Sequence, residues 1–349
     1  MDITLNIKKS SVRMVILPLS ANIMRLKLER TYLTDVKFDV SNDRLKFLTI
    51  TDSHLKSVPS TVIYLAALEM LEISKSPIET VNLNMFSKLQ RLHQLNLCKN
   101  KILFLHVSHT SDADFANLRE LFLADNLLTT INLSSFNGMK ALTTLDLQHN
   151  RIRRLHGELV SSGLKIVELS GNRIETLYCC KWNLSGLTNF GLNYNAMSWL
   201  PTCLSLAMPN LISLGLESNA LTDCDMWYDI LTMKRLQRLD ISSNRLKKAV
   251  FDNVSQSLQF LKLQDNDIKV LSIPVSGEGL KIIATSNSIE TFDVKSLSTN
   301  VTALEMFCNP IDCTFDRERM RIGQEIKCVT GSNNCTKARN TTTVEQDNS

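Results

Sequence analysis

The chain has 349 residues, of which 44% are hydrophobic, and a formal net charge of +4 at pH 7. A mean hydropathy of -0.03 is typical of a folded, soluble protein. So small a net charge gives no reason to expect a nucleic-acid partner, and no apolar run is long enough to span a membrane.

Residues 1–22 are predicted to form an N-terminal segment that covers one end of the fold. Ile3, Leu5 and Ile7 alternate with other residues, which is typical of a half-buried edge strand. No cysteine lies in this segment, so it must hold by packing alone. The first residues do not form a signal peptide. We therefore expect either a cytosolic protein or a secreted one without its signal peptide.

Residues 23–311 repeat the spacing L-x-x-L-x-L-x-x-N-x-L about thirteen times. One clear copy contains Leu142, Leu145, Leu147, Asn150 and Ile152. The residues at the Asn position lie 21 to 26 apart, and Thr or Ser replaces Asn in the first three copies. We call them the ladder residues: Thr31, Ser53, Ser76, Asn100, Asn126, Asn150, Asn172, Asn195, Asn219, Asn244, Asn266, Asn287 and Asn309.

This spacing predicts a stack of short parallel strands. Leu145 and Leu147 are two apart, so they share one face of a strand. The Asn side chain can bond backbone groups where the chain leaves that strand. One copy cannot bury its leucines alone, so neighbours must stack. We predict an α/β solenoid, a leucine-rich-repeat horseshoe with a concave parallel sheet, inward convex aromatics and some helical turns; the aromatics are Phe86, Phe136 and Trp182.

Residues 312–335 are predicted to be a cysteine-stapled C-terminal cap, and residues 336–349 a disordered polar tail. A terminal repeat must be covered, and disulfides persist in oxidising compartments. Within the cap, residues 315–326 are predicted to form a short charged helix. Four cysteines allow three pairings, which the sequence leaves open; zinc ligation is the alternative, although the spacings are unlike zinc knuckles. The four are Cys308, Cys313, Cys328 and Cys335.

The other cysteines fall into two groups. Cys98 is expected to face the concave surface, as a free thiol, an intermolecular link or an inert buried residue. Four more lie on the non-strand side of three consecutive repeats and are expected in disulfides: Cys179, Cys180, Cys203 and Cys224.

Six Asn-x-Ser/Thr sequons are predicted glycosylation sites, and together with the cysteines they favour secretion. They are Asn132, Asn183, Asn253, Asn300, Asn334 and Asn340.

Side chains that point out of the concave sheet need not support the fold, so their chemistry is informative. An acidic series in the central repeats is predicted to attract a basic partner, or else to keep the surface solvated. It consists of Glu72, Glu120, Asp146, Glu168, Glu217 and Asp240.

Two other features of the same face are candidates for partner binding. Phe260, Ile283 and Phe307 form an apolar group that either contacts a partner or lies under the cap. Gly191 and Gly215 are adjacent, and they either admit a close partner backbone or relieve crowding. Phe122 and Tyr194 complete the predicted partner-binding set.

Catalytic, cofactor and metal sites are not expected. The sequence has no G-x-S-x-G, P-loop or H-E-x-x-H motif. His106 and His109 lack a third ligand nearby, and the cluster Arg151, Arg153 and Arg154 is typical of a solvated turn.

Repeats of this shape closed by Asn309-Pro310-Ile311-Asp312-Cys313 resemble extracellular leucine-rich-repeat proteins of animals. The segment Asp2-Ile3-Thr4-Leu5-Asn6, without an N-terminal cysteine cap, is similar to secreted mosquito leucine-rich-repeat immune proteins. That resemblance implies disulfide-linked complexes that hold complement-like factors in hemolymph, although the coiled coil of those proteins does not follow here. Insect salivary proteins, which act on host factors, and Toll-like receptor ectodomains are resembled nearly as well. We therefore expect a secreted protein-binding module of insect innate immunity, with a salivary factor or a receptor ectodomain as alternatives.

Overall fold

The computed structural model describes residues 3–18, 20–40, 42–108, 114–223, 227–231, 233–252, 254–313 and 324–328. Its main element is a single 15-stranded sheet in which neighbouring strands follow one another along the chain and run parallel. The strands are Thr4–Ser10, Arg25–Thr31, Phe47–Thr51, Met70–Ser74, Gln94–Asn96, Glu120–Phe122, Thr144–Asp146, Ile166–Glu168, Asn189–Gly191, Ser213–Gly215, Arg238–Asp240, Phe260–Lys262, Leu280–Ile283, Val301–Glu305 and Glu325–Lys327.

Shorter elements connect these strands. Four parallel pairs of short strands lie beside the main sheet: Met14–Leu17 with Asp35–Phe38, Thr80–Asn82 with Phe104–His106, Thr130–Asn132 with Arg154–His156, and Lys248–Val250 with Val270–Ser272. Short 3-10 helices span Ser60–Tyr64, Leu83–Phe86, Leu133–Phe136 and Val294–Ser296, and α-helical turns span Leu204–Ala207 and Trp227–Leu231. Within the described ranges, no helix is both long and apolar enough to cross a membrane.

The repeat leucines form the core, as predicted. Leu145 and Leu147 are fully buried between the sheet and the convex segments, and Phe86 and Phe136 point inward from the convex side. The 3-10 helix at Leu133–Phe136 begins where the Asn132 side chain accepts the backbone N–H of Ser134. Because each turn buries its apolar residues only against its neighbours, the core extends along the whole stack.

The ladder asparagines bond across turns. Asn150 Nδ2 donates to the carbonyl of Leu123 in the preceding turn at 3.0 Å and to that of Leu147 in its own turn at 3.1 Å. Its Oδ1 accepts the backbone N–H of Leu128, again in the preceding turn, at 3.1 Å. One buried amide therefore satisfies backbone groups in two consecutive turns, and the other ladder asparagines repeat the arrangement.

The first ladder positions lack this amide. The hydroxyls of Ser53 and Ser76 bond each other at 2.8 Å, and Ser76 donates its backbone N–H to Asn100. The buried Thr31 hydroxyl has no hydrogen-bond partner among the described residues. The N-terminal turns are thus joined by fewer side-chain hydrogen bonds than the central ones.

The residue before each ladder residue has a left-handed backbone conformation. Gly171 has φ of 68°, and His149 has φ of 51°. A side-chain-bearing residue pays about 1–2 kcal/mol for this conformation. The same geometry recurs at Arg30, Asp52, Lys75, Lys99, Asp125, Tyr194, Ser218, Ser243, Asp265, Ser286 and Cys308.

The N-terminal segment is itself a turn of the solenoid. Thr4–Ser10 pairs with Arg25–Thr31, and Met14–Leu17 pairs with Asp35–Phe38. Leu5 and Ile7 are partly buried against the core, as predicted for an edge strand. The stack therefore has about 14 turns, where the repeat count predicted about 13.

The C-terminal end combines a disulfide with an added strand. Cys313 and Cys328 are bonded, with their Cα atoms 5.9 Å apart, which agrees with the predicted stapled cap. Cys308 is disulfide-bonded as well. The helix predicted over residues 315–326 is wrong at its end, because Ile326 lies in the strand Glu325–Lys327, which pairs with Ala303–Glu305. Residues 315–323 of that prediction lie outside the described residues. Cys335, the sequons at Asn334 and Asn340, and the predicted tail lie outside the described residues.

Replacing Asn150 with Ala should lower the stability of the solenoid. The change leaves the N–H of Leu128 without a partner and removes one of the two amide donors from each of the carbonyls of Leu123 and Leu147, which keep those of Asn126 and Asn172. We expect a loss of about 2–4 kcal/mol, since an unsatisfied buried N–H costs about 1–3 kcal/mol and each lost hydrogen bond about 0.5–1.5 kcal/mol. Urea unfolding followed by circular dichroism measures it. Asn117→Ala, which removes one exposed hydrogen bond, should change little; equal losses for the two variants would contradict the role of the ladder.

Candidate functional site

The predicted partner-binding residues lie on the concave strands or directly after them. Phe122, Asp146, Glu168, Gly191 and Gly215 are successive partners in the parallel register, one on each of five adjacent strands. The series continues through Asp240, Lys262 and Ile283. These side chains point away from the core, and most of them are half-buried by their neighbours.

Asp146 and Glu168 form a pair of adjacent carboxylates at the centre of this face. They are register partners on neighbouring strands, and within the described part of the chain neither makes an ion pair. Burial raises the pKa of Glu168, and the charge of Asp146 raises it further, while the Ser170 hydroxyl lowers it. Asp146 accepts the backbone N–H of Gln148 at 3.0 Å. The pair therefore concentrates negative charge where water is partly excluded.

Other acids of the series have partners within the chain. Asp240 pairs with the Lys262 ammonium at 2.9 Å, and Glu217 accepts the Tyr194 hydroxyl at 3.0 Å. Glu72 accepts the Ser74 hydroxyl at 2.9 Å. The sequence did not predict the pairing of Lys262 with Asp240, although Lys262 occupies the same position one repeat later. Of these three acids, Asp240 is the one whose charge is balanced by a cation among the described residues.

The space above the two glycines is occupied by side chains of this chain. A Cβ on Gly191 would overlap the Glu168 carboxylate. A Cβ on Gly215 would lie 2.6 Å from the Asn193 amide. This geometry favours relief of crowding over the approach of a partner backbone. The missing side chain of Gly191 leaves the space that the Glu168 carboxylate occupies.

The apolar group is half-buried. Arg238 lies with its guanidinium 5.6 Å from the Phe260 ring centre, and the Lys281 ammonium lies 5.7 Å away. Both distances fit cation–π contacts. Ile283 and Phe307 are also half-buried. This part of the concave face therefore presents cations around an aromatic ring, which the sequence reading of a purely apolar patch missed.

The cysteines differ from the expected pattern in one respect. Cys180 and Cys203 form a disulfide, with Cα atoms 4.9 Å apart, but the expectation that Cys179 is also paired is wrong. The chain turns at Cys180, so the Cys179 side chain is buried in the core while Cys180 is exposed and reaches Cys203 of the next turn. Burial raises the pKa of Cys179 to about 12. Cys224 lies outside the described residues.

Cys98 is a free, half-buried thiol on the concave side. Burial raises its pKa to about 12, with smaller contributions from the charges of Asp146, Asp125 and Glu72, while a bond to the Ala124 backbone lowers it. The thiolate is the reactive form. An intermolecular disulfide at Cys98 is therefore disfavoured at neutral pH.

The described sequons have different surroundings. Asn132 and Asn183 are exposed, and Asn132 caps the 3-10 helix that follows it. Asn300 donates its amide to the carbonyl of Ser276 at 2.8 Å and is half-buried. Asn253 lies outside the described residues. His109, considered above with His106 as a metal ligand, lies outside them as well.

Comparison with known proteins points to one kind of repeat. Residues 43–102, 90–152 and 116–174 match the leucine rich repeat family. Osteomodulin of Bos taurus is 26% identical over an alignment that covers 63% of this chain and 56% of osteomodulin, so the chain spans little more than half of that relative.

Several solved structures share the architecture. A leucine-rich-repeat protein of Leptospira interrogans superposes with a TM-score of 0.61 at 19% identity, covering 88% of this chain and 87% of that one. The leucine-rich effector YopM of Yersinia pestis gives 0.59 at 19%, covering 88% and 84%. The leucine-rich-repeat domain of APL1B gives 0.56 at 19%, covering 88% and 87%. Identities this low show the fold alone.

Replacing Glu168 with Gln should raise the thermal stability of the free protein at pH 7. The raised pKa of Glu168 means that the folded state disfavours its charged form. The gain should be full above the raised folded pKa, shrink as the pH falls through it, and be absent below the ordinary value of 4.5. Melting temperatures at pH 7 and pH 4 test this. Glu175→Gln, at an exposed position, is the control; a gain at pH 4 equal to that at pH 7 would contradict the electrostatic cause.

Alkylation of Cys98 should keep accelerating with pH. Because its pKa is about 12, the thiolate fraction rises about tenfold per pH unit throughout the range from 7 to 10. The alkylation rate of an ordinary thiol levels off once the pH exceeds its pKa of about 8.5. Iodoacetamide labelling, quantified on the Cys98 peptide by mass spectrometry with glutathione as internal standard, measures the difference. A plateau near that of glutathione would contradict the burial effect.

Proposed function

We propose that this leucine-rich-repeat protein is a secreted binding module that recruits another protein through the concave face. Solenoids of this kind expose a long concave sheet whose outward residues are free to vary, and such surfaces commonly bind proteins. We assign the module to insect innate immune recruitment, because of the resemblance of its N-terminal segment and cap to secreted leucine-rich-repeat immune proteins. Exposed sequons and two disulfides support secretion.

The observation that carries the proposal is the pair Asp146 and Glu168. Two adjacent carboxylates without a cation repel each other, and burial already penalises the charge of Glu168. A Lys or Arg of a partner that bound beside both carboxylates would relieve this repulsion. The Glu168 carboxylate is already partly desolvated in the free protein. Binding a cation there therefore adds a smaller desolvation cost than binding at a fully hydrated carboxylate. The geometry thus favours a partner with a protruding basic side chain.

Capture of such a partner should depend on pH in a defined direction. Protonation of Glu168 removes half of the negative pair, so capture weakens as the pH falls through its raised pKa. The weakening should begin at a higher pH than for an ordinary carboxylate.

Reversing both charges, as Asp146→Lys with Glu168→Lys, should abolish partner capture while the fold is retained. Losing a buried charge pair at an interface costs about 2–5 kcal/mol, which is at least about 30-fold in affinity. Immobilised protein is incubated with insect hemolymph, and the bound proteins are cross-linked and quantified by mass spectrometry. Specific partners should be recovered with the wild type and lost with the variant.

The matched control carries the same charge change away from the concave strands, as Glu278→Lys with Glu290→Lys, at exposed positions. This control should recover the same proteins as the wild type. Recovery of those proteins by the Asp146/Glu168 variant at unchanged levels would overturn the proposal, provided that its circular dichroism matches the wild type.

A further inference from the structure

A second charged surface lies on the side of the solenoid. We call it the lateral face and define it as the residues one, three, four and six positions after each ladder residue. An arginine cluster occupies two adjacent turns of this face, and a lysine-rich cluster occupies two later turns. The first consists of Arg151, Arg153, Arg154 and Arg173, and the second of Arg245, Lys247, Lys248 and Lys269; all eight are exposed.

Among the described residues, no acid forms an ion pair with these eight cations. The acids at lateral positions of the same turns are Glu175 and Asp267, and in the sequence Asp223 and Asp225 stand at the corresponding positions after Asn219, in the turn before the lysine-rich cluster. Asp223 is occupied in part, because its carboxylate accepts the backbone N–H groups of Lys247 and Lys248 at 2.9 and 3.1 Å. The two clusters on the lateral face are therefore positive, in contrast to the acidic centre of the concave face.

The two clusters are too far apart to act on one small anion. Four turns separate Asn150 from Asn244. At a strand spacing of about 4.8 Å, the clusters lie on the order of 19 Å apart. This exceeds the Debye length of about 8 Å at physiological ionic strength. A compact anion would contact one cluster. An extended polyanion would contact both, and its affinity would rise because the two contacts belong to one molecule.

The surface between the clusters is aromatic. Tyr178 is 72% exposed and Trp199 is 60% exposed, on the two turns that follow Asn172 and Asn195. Trp199 occupies the same position in its turn as Arg154 does two turns earlier. Exposed apolar surface of this kind often marks an interaction site.

We propose that the lateral face binds a sulfated polysaccharide whose chain runs from the arginine cluster across Tyr178 and Trp199 to the lysine-rich cluster. Guanidinium groups bond oxoanions through two parallel N–H groups, so Arg153 and Arg154 suit sulfate esters. The disulfide Cys180–Cys203, in the turns that carry Tyr178 and Trp199, belongs to an oxidising compartment. Sulfated glycans are abundant linear polyanions outside cells, and this favours them over nucleic acid.

The test uses the full chain and fluorescent heparin fragments of two lengths, a tetrasaccharide and a dodecasaccharide, with binding followed by anisotropy at several salt concentrations. The dodecasaccharide should bind at least about tenfold more tightly, because it can engage both clusters. Arg153→Glu with Arg154→Glu should weaken its binding about tenfold or more and reduce the salt dependence. Lys247→Glu with Lys248→Glu should do the same.

The control is Lys234→Glu with Arg235→Glu, an exposed basic pair outside the lateral face, with the same change of net charge. It should bind both fragments nearly as the wild type does. Equal loss in the control, or no length dependence in the wild type, would overturn the proposal. Single-stranded DNA of matched charge that binds as tightly as the dodecasaccharide would overturn the choice of a polysaccharide.

Folding and function are separated by two further measurements. Arg153→Gln with Arg154→Gln removes the charge without reversing it, and should also weaken binding while the melting temperature stays unchanged. The lateral variants retain Asp146 and Glu168, so protein capture by the concave face should persist in them. Lateral variants that lose heparin binding but still capture the protein partner support the lateral site. Lateral variants that lose protein capture but still bind heparin would overturn it.

Discussion

The hydrogen bonds of the buried ladder asparagines hold the rest of the structure in place. Each amide bonds the backbone of its own turn and of the turn before it, as Asn150 does with Leu147 and Leu123. Without such bonds, the buried carbonyls at the strand ends would have no partner. Because the link repeats in each turn from Asn100 onward, it sets the register of the sheet there and the direction of each outward side chain. Both charged faces depend on that register.

The two faces divide the surface by sign within the same turns. Asp146 and Glu168 lie on the concave strands, and the arginine cluster follows directly after them on the lateral face. A net charge of +4 conceals this separation, since acids and bases nearly cancel over the chain. Local placement, rather than overall charge, therefore indicates which kind of partner suits each face.

Most of the fold follows from the sequence because one spacing recurs. Leu145, Leu147 and Asn150 each have a single place in the turn, so their pattern predicts strand, core and ladder together. The site is less predictable, since it depends on neighbours about 22 residues away. Nothing local to Asp240 reveals Lys262, and nothing local to Gly191 reveals the Glu168 carboxylate above it. Cys179 was misassigned because its adjacency to Cys180 concealed their opposite directions.

The ladder also changes along the chain, and this has a kinetic consequence. The N-terminal turns carry Thr31, Ser53 and Ser76 in place of Asn, and the disulfides of the described residues all lie beyond residue 179. A stack in which each turn contacts only its neighbours opens from its weakest end. Amide hydrogens of the first three turns should therefore exchange with solvent sooner than those of the central turns. Such opening would expose the N-terminal turns to a protease before the central ones.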